Sequence, residues 1–306
     1  MNSILPLFSS WLFLAISSYG IFSITNFIDK FLIEKLIKNP IGIVILDGFL
    51  YVILGIIIFI FAGSHFLPLN QSLILIVAGT FLTFYLIPYF KALQLDDTSR
   101  VVPLFQFYPL FTLILAFIFL HETLSIKELL GFIFIIIGGF ILGSEHLSKK
   151  IFKLRKSFFL MMLSSLLYAF TNIMFKFISS NNFWVNFSYL TFGSAIGCFL
   201  LLYKNENRKI LLNQVKILSL KTYVILLVNA LLNLLAELLT FLAISLGPVA
   251  LVSAVNGIQP FIVLVYGLIL TLFFPKIIKE DIKRNTLIIK LFSAVILFIG
   301  IYFISV

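Results

Sequence analysis

Charged residues are scarce in this chain of 306 residues: Asp, Glu, Lys and Arg together make up 11% of it, whereas hydrophobic residues make up 61%. Ordinary soluble domains carry about twice that share of charge. Cysteine is nearly absent too, because Cys198 is the only one, which excludes an intrachain disulfide. The chain also lacks a phosphate-binding P-loop, so ATP hydrolysis by a site of that type is excluded as its energy source.

Long apolar segments fill most of the sequence instead. A helix that crosses a bilayer needs about 20 mostly apolar residues, since the hydrocarbon core is about 30 Å thick. We therefore predict an all-α polytopic membrane protein with ten transmembrane helices. The predicted spans are about Leu5–Ile28, Ile41–Ala62, Ser72–Leu93, Ser99–Leu120, Ile126–Leu142, Phe158–Ile178, Phe183–Leu202, Thr222–Leu246, Val249–Phe273 and Leu287–Ile304.

The ten segments divide into two similar halves. The stretch Ser23–Phe31 in the first segment aligns with Ala169–Phe177 in the sixth, with identities at Thr25/Thr171, Asn26/Asn172, Lys30/Lys176 and Phe31/Phe177. Five spans per half force the second copy to enter the membrane the other way up. Such inverted repeats are typical of secondary transporters, whose substrate site lies between the copies near the bilayer midplane. We predict one repeat at residues 1–144, a basic linker at 145–156 and a second repeat at 157–306.

Basic residues are concentrated in every second loop. The loops after spans 1, 3, 5, 7 and 9 carry nearly all of them, and the opposite face keeps only Lys127 and Lys176. The positive-inside rule makes the basic face cytoplasmic and places both termini outside a cytoplasmic (inner) membrane. The net charge of +10 is therefore interpreted as contact with membrane lipid and not with nucleic acid.

Three stretches resemble the drug/metabolite transporter superfamily, specifically its EamA-like ten-helix branch: Lys91–Pro109, Phe119–Gly131 and Leu242–Pro260. The resemblance implies that spans 1, 3, 4, 6, 8 and 9 line a central cavity and that spans 5 and 10 pack behind them. It also implies cytoplasmic termini, which conflicts with the charge distribution, and we keep the orientation that the charges indicate. The second half departs from the family pattern because Phe273 stands where Glu122 would fall, so we expect two unequal gates.

Polar side chains recur at helical spacing on spans 1 and 6. They form either two walls of a solute cavity or hydrogen bonds between helices. We favour the cavity, because the repeat places both stripes at one interface. The stripes consist of Tyr19, Ser23, Asn26 and Lys30 on span 1, and of Ser165, Tyr168, Asn172 and Lys176 on span 6.

Two further pairs lie beside prolines that match between the repeats, Pro109 and Pro260. We expect these polar side chains to face the same cavity, although bonding to carbonyls loosened by the prolines is the alternative. The pairs are Gln106 and Tyr108 on span 4, and Asn256 and Gln259 on span 9.

Glu237 is the sharpest single feature of the sequence. Asn229, Asn233 and Glu237 are four residues apart on one face of span 8, and Leu82 and Leu86 stand opposite the last two in the first repeat. A carboxylate inside a membrane indicates a proton-coupling group or a counter-ion to a cationic ligand. The alternative is a structural acid paired with Lys176 or Lys30.

Four local patterns carry structural predictions. Ser125 and Glu128 fit a helix capping box. Gly139–Gly143 is a GxxxG face that serves either a dimer or packing within the monomer, which we favour. The segment Lys204–Lys221 forms either a short interfacial helix or a solvated loop. Asp47 is expected to pair with Lys30.

The sequence thus favours a secondary transporter for a small polar metabolite, amino-acid-like or zwitterionic, that works by alternating access as a monomer or homodimer. A lipid-carrier flippase of the same fold is the alternative. A membrane enzyme acting on lipid is disfavoured because His65, His121 and His146 are dispersed in different loops, and neither a metal site nor a cofactor is predicted.

Overall fold

The computed structural model describes residues 10–32, 36–37, 39–95, 102–143, 155–178, 182–273 and 284–305. Every regular element in these ranges is helical. Seven segments of the described chain are long and apolar enough to cross a membrane, and shorter apolar helices lie at Leu104–Leu120 and Leu291–Ser305. The all-α prediction is confirmed, and the count of ten spans stays a prediction.

The described part of the first half contains six α-helices. Its first four elements follow the predicted spans closely, with a break at Tyr85 that divides the third span into two helices. The helices are α1 (Trp11–Phe31), α2 (Pro40–Phe61), α3 (Leu69–Phe84), α4 (Leu86–Leu95), α5 (Tyr108–Leu115) and α6 (Ile126–Gly143).

The described part of the second half contains seven α-helices, including one added between its second and third predicted spans. The helices are α7 (Lys156–Ile178), α8 (Phe183–Leu201), α9 (Asn205–Ile217), α10 (Leu220–Leu246), α11 (Val249–Ala254), α12 (Gln259–Phe273) and α13 (Arg284–Ser305). The added helix is α9, so the helical alternative for Lys204–Lys221 is correct, while its position at the membrane surface stays a prediction. Gln214 ties α9 to the start of α2, because its Nε2 donates to the Asn39 carbonyl oxygen at 2.8 Å.

The predicted fourth and ninth spans are not uninterrupted α-helices. A 3₁₀ turn at Val102–Phe107 precedes α5, and another at Val255–Ile258 separates α11 from α12. Pro109 and Pro260 each stand at the second residue of the α-helix that follows. Proline is tolerated in a first helical turn but clashes with the preceding turn of a continuous helix, and this explains both breaks.

The polar cap predicted at the start of α6 is present. Ser125 and Glu128 form the capping box at α6: the Ser125 N–H donates to Glu128 Oε2 at 2.7 Å, and the Glu128 N–H donates to Ser125 Oγ at 3.3 Å. Glu128 therefore satisfies helix-terminal N–H groups, which is the role the sequence predicted for it.

Close helix contacts depend on glycine. A Cβ added at Gly79 of α3 would lie 2.0 Å from the Leu190 carbonyl oxygen of α8, so only a residue without a side chain fits there. Gly139 of α6 faces Gly257 within the same chain, where an added Cβ would lie 2.7 Å from backbone atoms. This contact supports the interpretation of Gly139 as a packing residue within the monomer.

The two halves pack unequally against each other. Helices α3 and α8 pack along their length, whereas α2 and α10 touch at only a few of their described residues. Under the predicted repeat, α3 corresponds to α10 and α8 to α2, so the two contacts are counterparts. The first contact is extensive and the second is sparse, and we call the sparse contact between α2 and α10 the cleft.

Candidate functional site

A cluster of tyrosines and one amide lies where α1, α5 and α7 meet. The Asn172 Nδ2 donates to the Tyr108 hydroxyl at 2.7 Å, and the rings of Tyr108 and Tyr168 have centroids 4.8 Å apart. The phenol of Tyr19 lies beside that of Tyr108 and donates to the Val252 carbonyl oxygen at 3.3 Å. Four of the residues predicted to line the cavity are therefore in contact or adjacent. We call Tyr19, Tyr108, Tyr168 and Asn172 the central cluster.

Several buried polar atoms around this cluster have no partner among the residues that the structure describes. They include Gln106 Oε1, Asn172 Oδ1 and Asn256 Nδ2, two acceptors and one donor. A buried polar group without a hydrogen bond costs about 1–3 kcal/mol. Such groups are normally satisfied by water or a ligand, so the region can hydrogen-bond a polar solute through both kinds of group.

Acidic residues of three helices meet at the cleft between α2 and α10. Asn229 of α10 donates from Nδ2 to Asp29 Oδ1 at 2.7 Å, and Tyr51 of α2 donates to Glu237 Oε1 at 3.5 Å. Asp47 lies within electrostatic range of both Asp29 and Glu237. Glu237 is 7% exposed, whereas Asp29 and Asp47 are partly exposed. We call Asp29, Asp47 and Glu237 the acidic cleft.

A set of polar contacts joins the helices at the opposite face. Lys176 at the end of α7 donates to the carbonyl oxygens of Ile244 at 2.7 Å and Gly247 at 2.9 Å. Glu122, in the loop before α6, accepts from the Val249 N–H with Oε2 at 3.0 Å. We call Glu122, Lys176, Gly247 and Val249 the latch.

The Glu122 carboxyl is partly desolvated by the helices around it. Burial raises the pKa of Glu122 above its usual value, and the Lys176 ammonium and the N–H groups of Val249 and Ala250 offset part of that rise. The ion therefore depends on these three groups, and removing any of them weakens the latch.

Aromatic rings seal the chain beneath the latch. Phe175 of α7, Phe187 of α8 and Phe241 of α10 are fully buried. The rings of Phe175 and Phe241 have centroids 4.6 Å apart, and those of Phe187 and Phe241 lie 6.1 Å apart. This face is therefore closed by an apolar layer as well as by the latch.

Comparison with known proteins relates the first half of the chain to a known family. The model of the EamA-like transporter family matches residues 9–144. This part of the chain is therefore similar to EamA-like transporters. Together with the seven described segments that are long and apolar enough to cross a membrane, the match indicates a multi-pass membrane protein.

Two further proteins are similar to this chain. An uncharacterized protein of Methanocaldococcus jannaschii is 36% identical over 75 residues, which cover 24% of this chain and 50% of that protein. The match thus spans about half of the length of that relative. A crystal structure of another protein is 12% identical and superposes with a TM-score of 0.69, over 96% of this chain and 95% of the other. At that identity the likeness shows the fold alone.

The residues that the sequence predicted for the site differ in their burial. Gln106 and Asn256 are buried, whereas Asn26, Asn233 and Gln259 are only partly buried. The Gln259 carbonyl oxygen accepts from Ser23 at 3.4 Å, which places the start of α12 against α1.

The partners proposed for the acids need correction or lie outside the described residues. Lys176 bonds to carbonyl oxygens in the latch, and Glu237 bonds to Tyr51, so the pairing of Glu237 with Lys176 was wrong. Lysine amines satisfy free carbonyls at a helix end, and α10 ends beside Lys176. The side chain of Lys30 lies outside the described residues, as do its suggested pairings with Asp47 and Glu237.

The sequence interpretation missed Asp29 and Tyr51. Asp29 follows Asn26 by three residues, on the polar stripe of α1, and any carboxyl group inside a membrane span indicates function. That signal was present in the sequence. No such signal marked Tyr51. A tyrosine in an apolar helix is interpreted as a packing residue unless the structure shows which neighbouring helix it faces.

Proposed function

We propose that this protein is a secondary transporter that moves a small polar, amino-acid-like or zwitterionic solute across the cytoplasmic membrane by alternating access between two inverted five-helix repeats. The observation that carries the proposal is the central cluster. It contains three tyrosine rings and Asn172, and the buried side-chain atoms Asn172 Oδ1, Gln106 Oε1 and Asn256 Nδ2 have no partner within the described residues. Buried polar groups of this kind are costly unless a solute or water meets them.

Closure of one face and opening of the other supports alternating access. The latch and the layer of Phe175, Phe187 and Phe241 close the face that carries few basic residues. In this proposal, the sparse contact between α2 and α10 is the open gate, and it lies on the side of the basic loops, which the positive-inside rule makes cytoplasmic. In this account the structure is the inward-facing state. Transport requires the cleft to close and the latch to open.

The lining of the cleft favours a polar solute over a lipid carrier. A lipid tail needs an apolar wall, whereas the inner sides of α2 and α10 present Asp47, Tyr51, Asn229 and Glu237. Apolar side chains of α2, such as Ile53 and Ile60, are exposed on other sides of that helix. The polar residues therefore form the inner wall of the cleft and the apolar ones its lipid surface.

A ligand screen followed by an exchange assay tests the proposal. Purified protein is screened against amino acids, amines, organic acids and sugars for a rise in melting temperature, since bound ligand stabilises by mass action. Each hit is then labelled and its exchange is measured in proteoliposomes. We expect saturable exchange for at least one hit, strongly reduced by Asn172→Leu.

The matched control is Tyr302→Phe, an exposed tyrosine of α13 that lies outside the central cluster. It should exchange the solute like the wild type. Loss of exchange only in Asn172→Leu supports a site at the central cluster. Absence of exchange for every hit, or full exchange by Asn172→Leu, contradicts the proposal.

A further inference from the structure

The acidic cleft brings together carboxyl groups from three helices. Asp29 on α1, Asp47 on α2 and Glu237 on α10 share one space, with Asp47 in range of both other carboxyls. Within the described part of the chain, no Lys or Arg side chain is in electrostatic range of any of the three. Carboxyl groups so close together at membrane depth need a cation or protons from elsewhere.

Asn229 supplies a second and independent sign of a missing ligand. Its side chain is 4% exposed, and its Nδ2 is fixed on Asp29 at 2.7 Å. The other end of the same amide, Oδ1, has no partner among the described residues. A buried acceptor held beside a carboxylate is suited to a donor that carries positive charge, such as an ammonium group with its three N–H bonds.

Aromatic side chains complete the surroundings of the cleft. Tyr51, Tyr85 and Tyr89 lie within electrostatic range of its carboxyls. The face of a tyrosine ring attracts cations, and such rings recur in sites for organic ammonium groups. Tyr85 also connects inward, because its ring centroid lies 4.9 Å from that of Tyr168 in the central cluster.

The alignment of the two repeats indicates that the fold does not require an acid at the positions of Asp29 and Glu237. In the alignment of the two halves, Asp29 corresponds to Phe175, and Glu237 corresponds to Leu86. Phe175 belongs to the apolar layer that seals the other face. The first and second repeats thus differ at these two positions. Phe175 and Leu86 are apolar, whereas Asp29 and Glu237 are carboxyl groups at the sparse contact between α2 and α10.

We infer that Asp29, Asp47, Glu237 and Asn229 bind the positively charged end of the transported solute, an ammonium group, while the rest of the solute extends past Tyr85 toward the central cluster. This inference rests on the proposed transport function and names the chemical class of its substrate. The carboxyls attract the cation into the cleft, the Asn229 oxygen accepts one of its N–H bonds, and the tyrosine rings cover it.

Three probes of nearly equal shape test the charge requirement: phenethylamine, which is a cation at neutral pH, 2-phenylethanol, which is neutral, and phenylacetate, which is an anion. Binding to purified wild-type protein is measured by the rise in melting temperature and by titration calorimetry. We expect phenethylamine to bind at least about tenfold more tightly than either other probe. Equal or tighter binding of the neutral or anionic probe overturns the inference.

Asp47→Asn and Glu237→Gln remove one negative charge each at nearly constant shape. Both should weaken phenethylamine binding by about tenfold or more and leave the weak binding of 2-phenylethanol unchanged. Glu206→Gln is the control, since Glu206 is an exposed acid in the first turn of α9 on the same side of the protein. An unchanged affinity in both cleft variants overturns the inference.

Chemical labelling of carboxyl groups tests the same inference on the wild-type protein, so its result does not depend on whether a variant folds. Dicyclohexylcarbodiimide modifies carboxyl groups in apolar surroundings, and mass spectrometry locates the modified residues. Phenethylamine should slow modification of the acidic cleft more than 2-phenylethanol does. Equal protection by both probes overturns the inference.

The exchange assay separates this inference from the proposed function. If solutes are exchanged but none of them carries an ammonium group, the inference fails and transport stands. If phenethylamine binds through the carboxyls but no solute is exchanged, the cation site stands and transport fails.

Discussion

The Ser18 hydroxyl of α1 donates to the Ala236 carbonyl oxygen of α10 at 2.7 Å. A counterpart exists in the other half of the chain, where Ser164 of α7 donates to the Tyr85 carbonyl oxygen, between α3 and α4, at 2.9 Å. The register that aligns Thr25 with Thr171 also aligns Ser18 with Ser164. Likewise, the register that sets Leu86 opposite Glu237 sets Tyr85 opposite Ala236. Such an exchange of partners is what a two-fold axis between inverted repeats requires, and it supports that prediction.

Ser18 also makes a second interhelical contact, with the Thr240 hydroxyl at 2.6 Å. Ser164→Ala should lower stability by about 0.6 kcal/mol, the average for hydrogen bonds between helices in membranes, and Ser18→Ala by about twice that. Thermal melting in detergent should show a small decrease in melting temperature for Ser164→Ala and a larger one for Ser18→Ala. Ser305→Ala is the control because Ser305 bonds within its own helix end. Equal decreases in the two variants would contradict this order.

The closed contact between α3 and α8 depends on Gly79. An alanine there would place its Cβ 2.0 Å from the Leu190 carbonyl oxygen, and backbone cannot move aside as a side chain can. Gly79→Ala should therefore destabilise the protein by about 1–3 kcal/mol. Gly20→Ala is a matched control in α1, since an added Cβ meets nothing within 4 Å there. The control should melt at or above the wild-type temperature, since alanine favours the helix. Equal melting of both variants would show that α3 and α8 are not in close contact.

Sequence patterns predicted those features that depend on one helix at a time. The length of the hydrophobic segments predicted helices, and Ser125 and Glu128 predicted a helix cap. Pro109 and Pro260 were recognised as matching positions on spans 4 and 9. The consequence of Pro109 and Pro260 was missed, because the chain changes to 3₁₀ turns before them, and spacing alone does not show where a helix breaks.

The missed contacts of the candidate site depend on how neighbouring helices are rotated. The sequence placed Glu237 on a polar face but could not show that Tyr51 of α2 turns toward it. It also suggested Lys176 as a partner, although that amine is taken by the end of α10. Helical periodicity gives the residues that share a face and leaves open which face of the next helix they meet.

Gly139 offers a test of the interpretation that its GxxxG face serves the monomer. Since an added Cβ would lie 2.7 Å from backbone atoms of Gly257 in the same chain, Gly139→Ala should lower the melting temperature without changing the oligomeric state. Light scattering after size-exclusion chromatography measures the second quantity. A change in molecular mass on this substitution would instead place Gly139 at an interface between copies.

Under the proposed function, the latch should control which face of the protein is open. Glu122→Gln keeps the shape of the side chain but removes the charge that faces Lys176 and the Val249 N–H. A charge-assisted hydrogen bond contributes about 1.5–3 kcal/mol, so its loss should raise the population with this face open by about tenfold or more. A cysteine reporter at Ala250, which is fully buried beside the latch, measures that population in a Cys198→Ser background.

Labelling of this reporter by a membrane-impermeant maleimide should be about tenfold faster in Glu122→Gln than in the parent protein. Lys127→Gln is the control, because Lys127 is exposed on the same face and takes no part in the latch. Its labelling rate should equal that of the parent. Equal rates in all three proteins would mean that the apolar layer of Phe175, Phe187 and Phe241 closes this face without the latch. In that case, the presence of Phe273 in the second repeat at the position of Glu122 would not make the two gates behave differently.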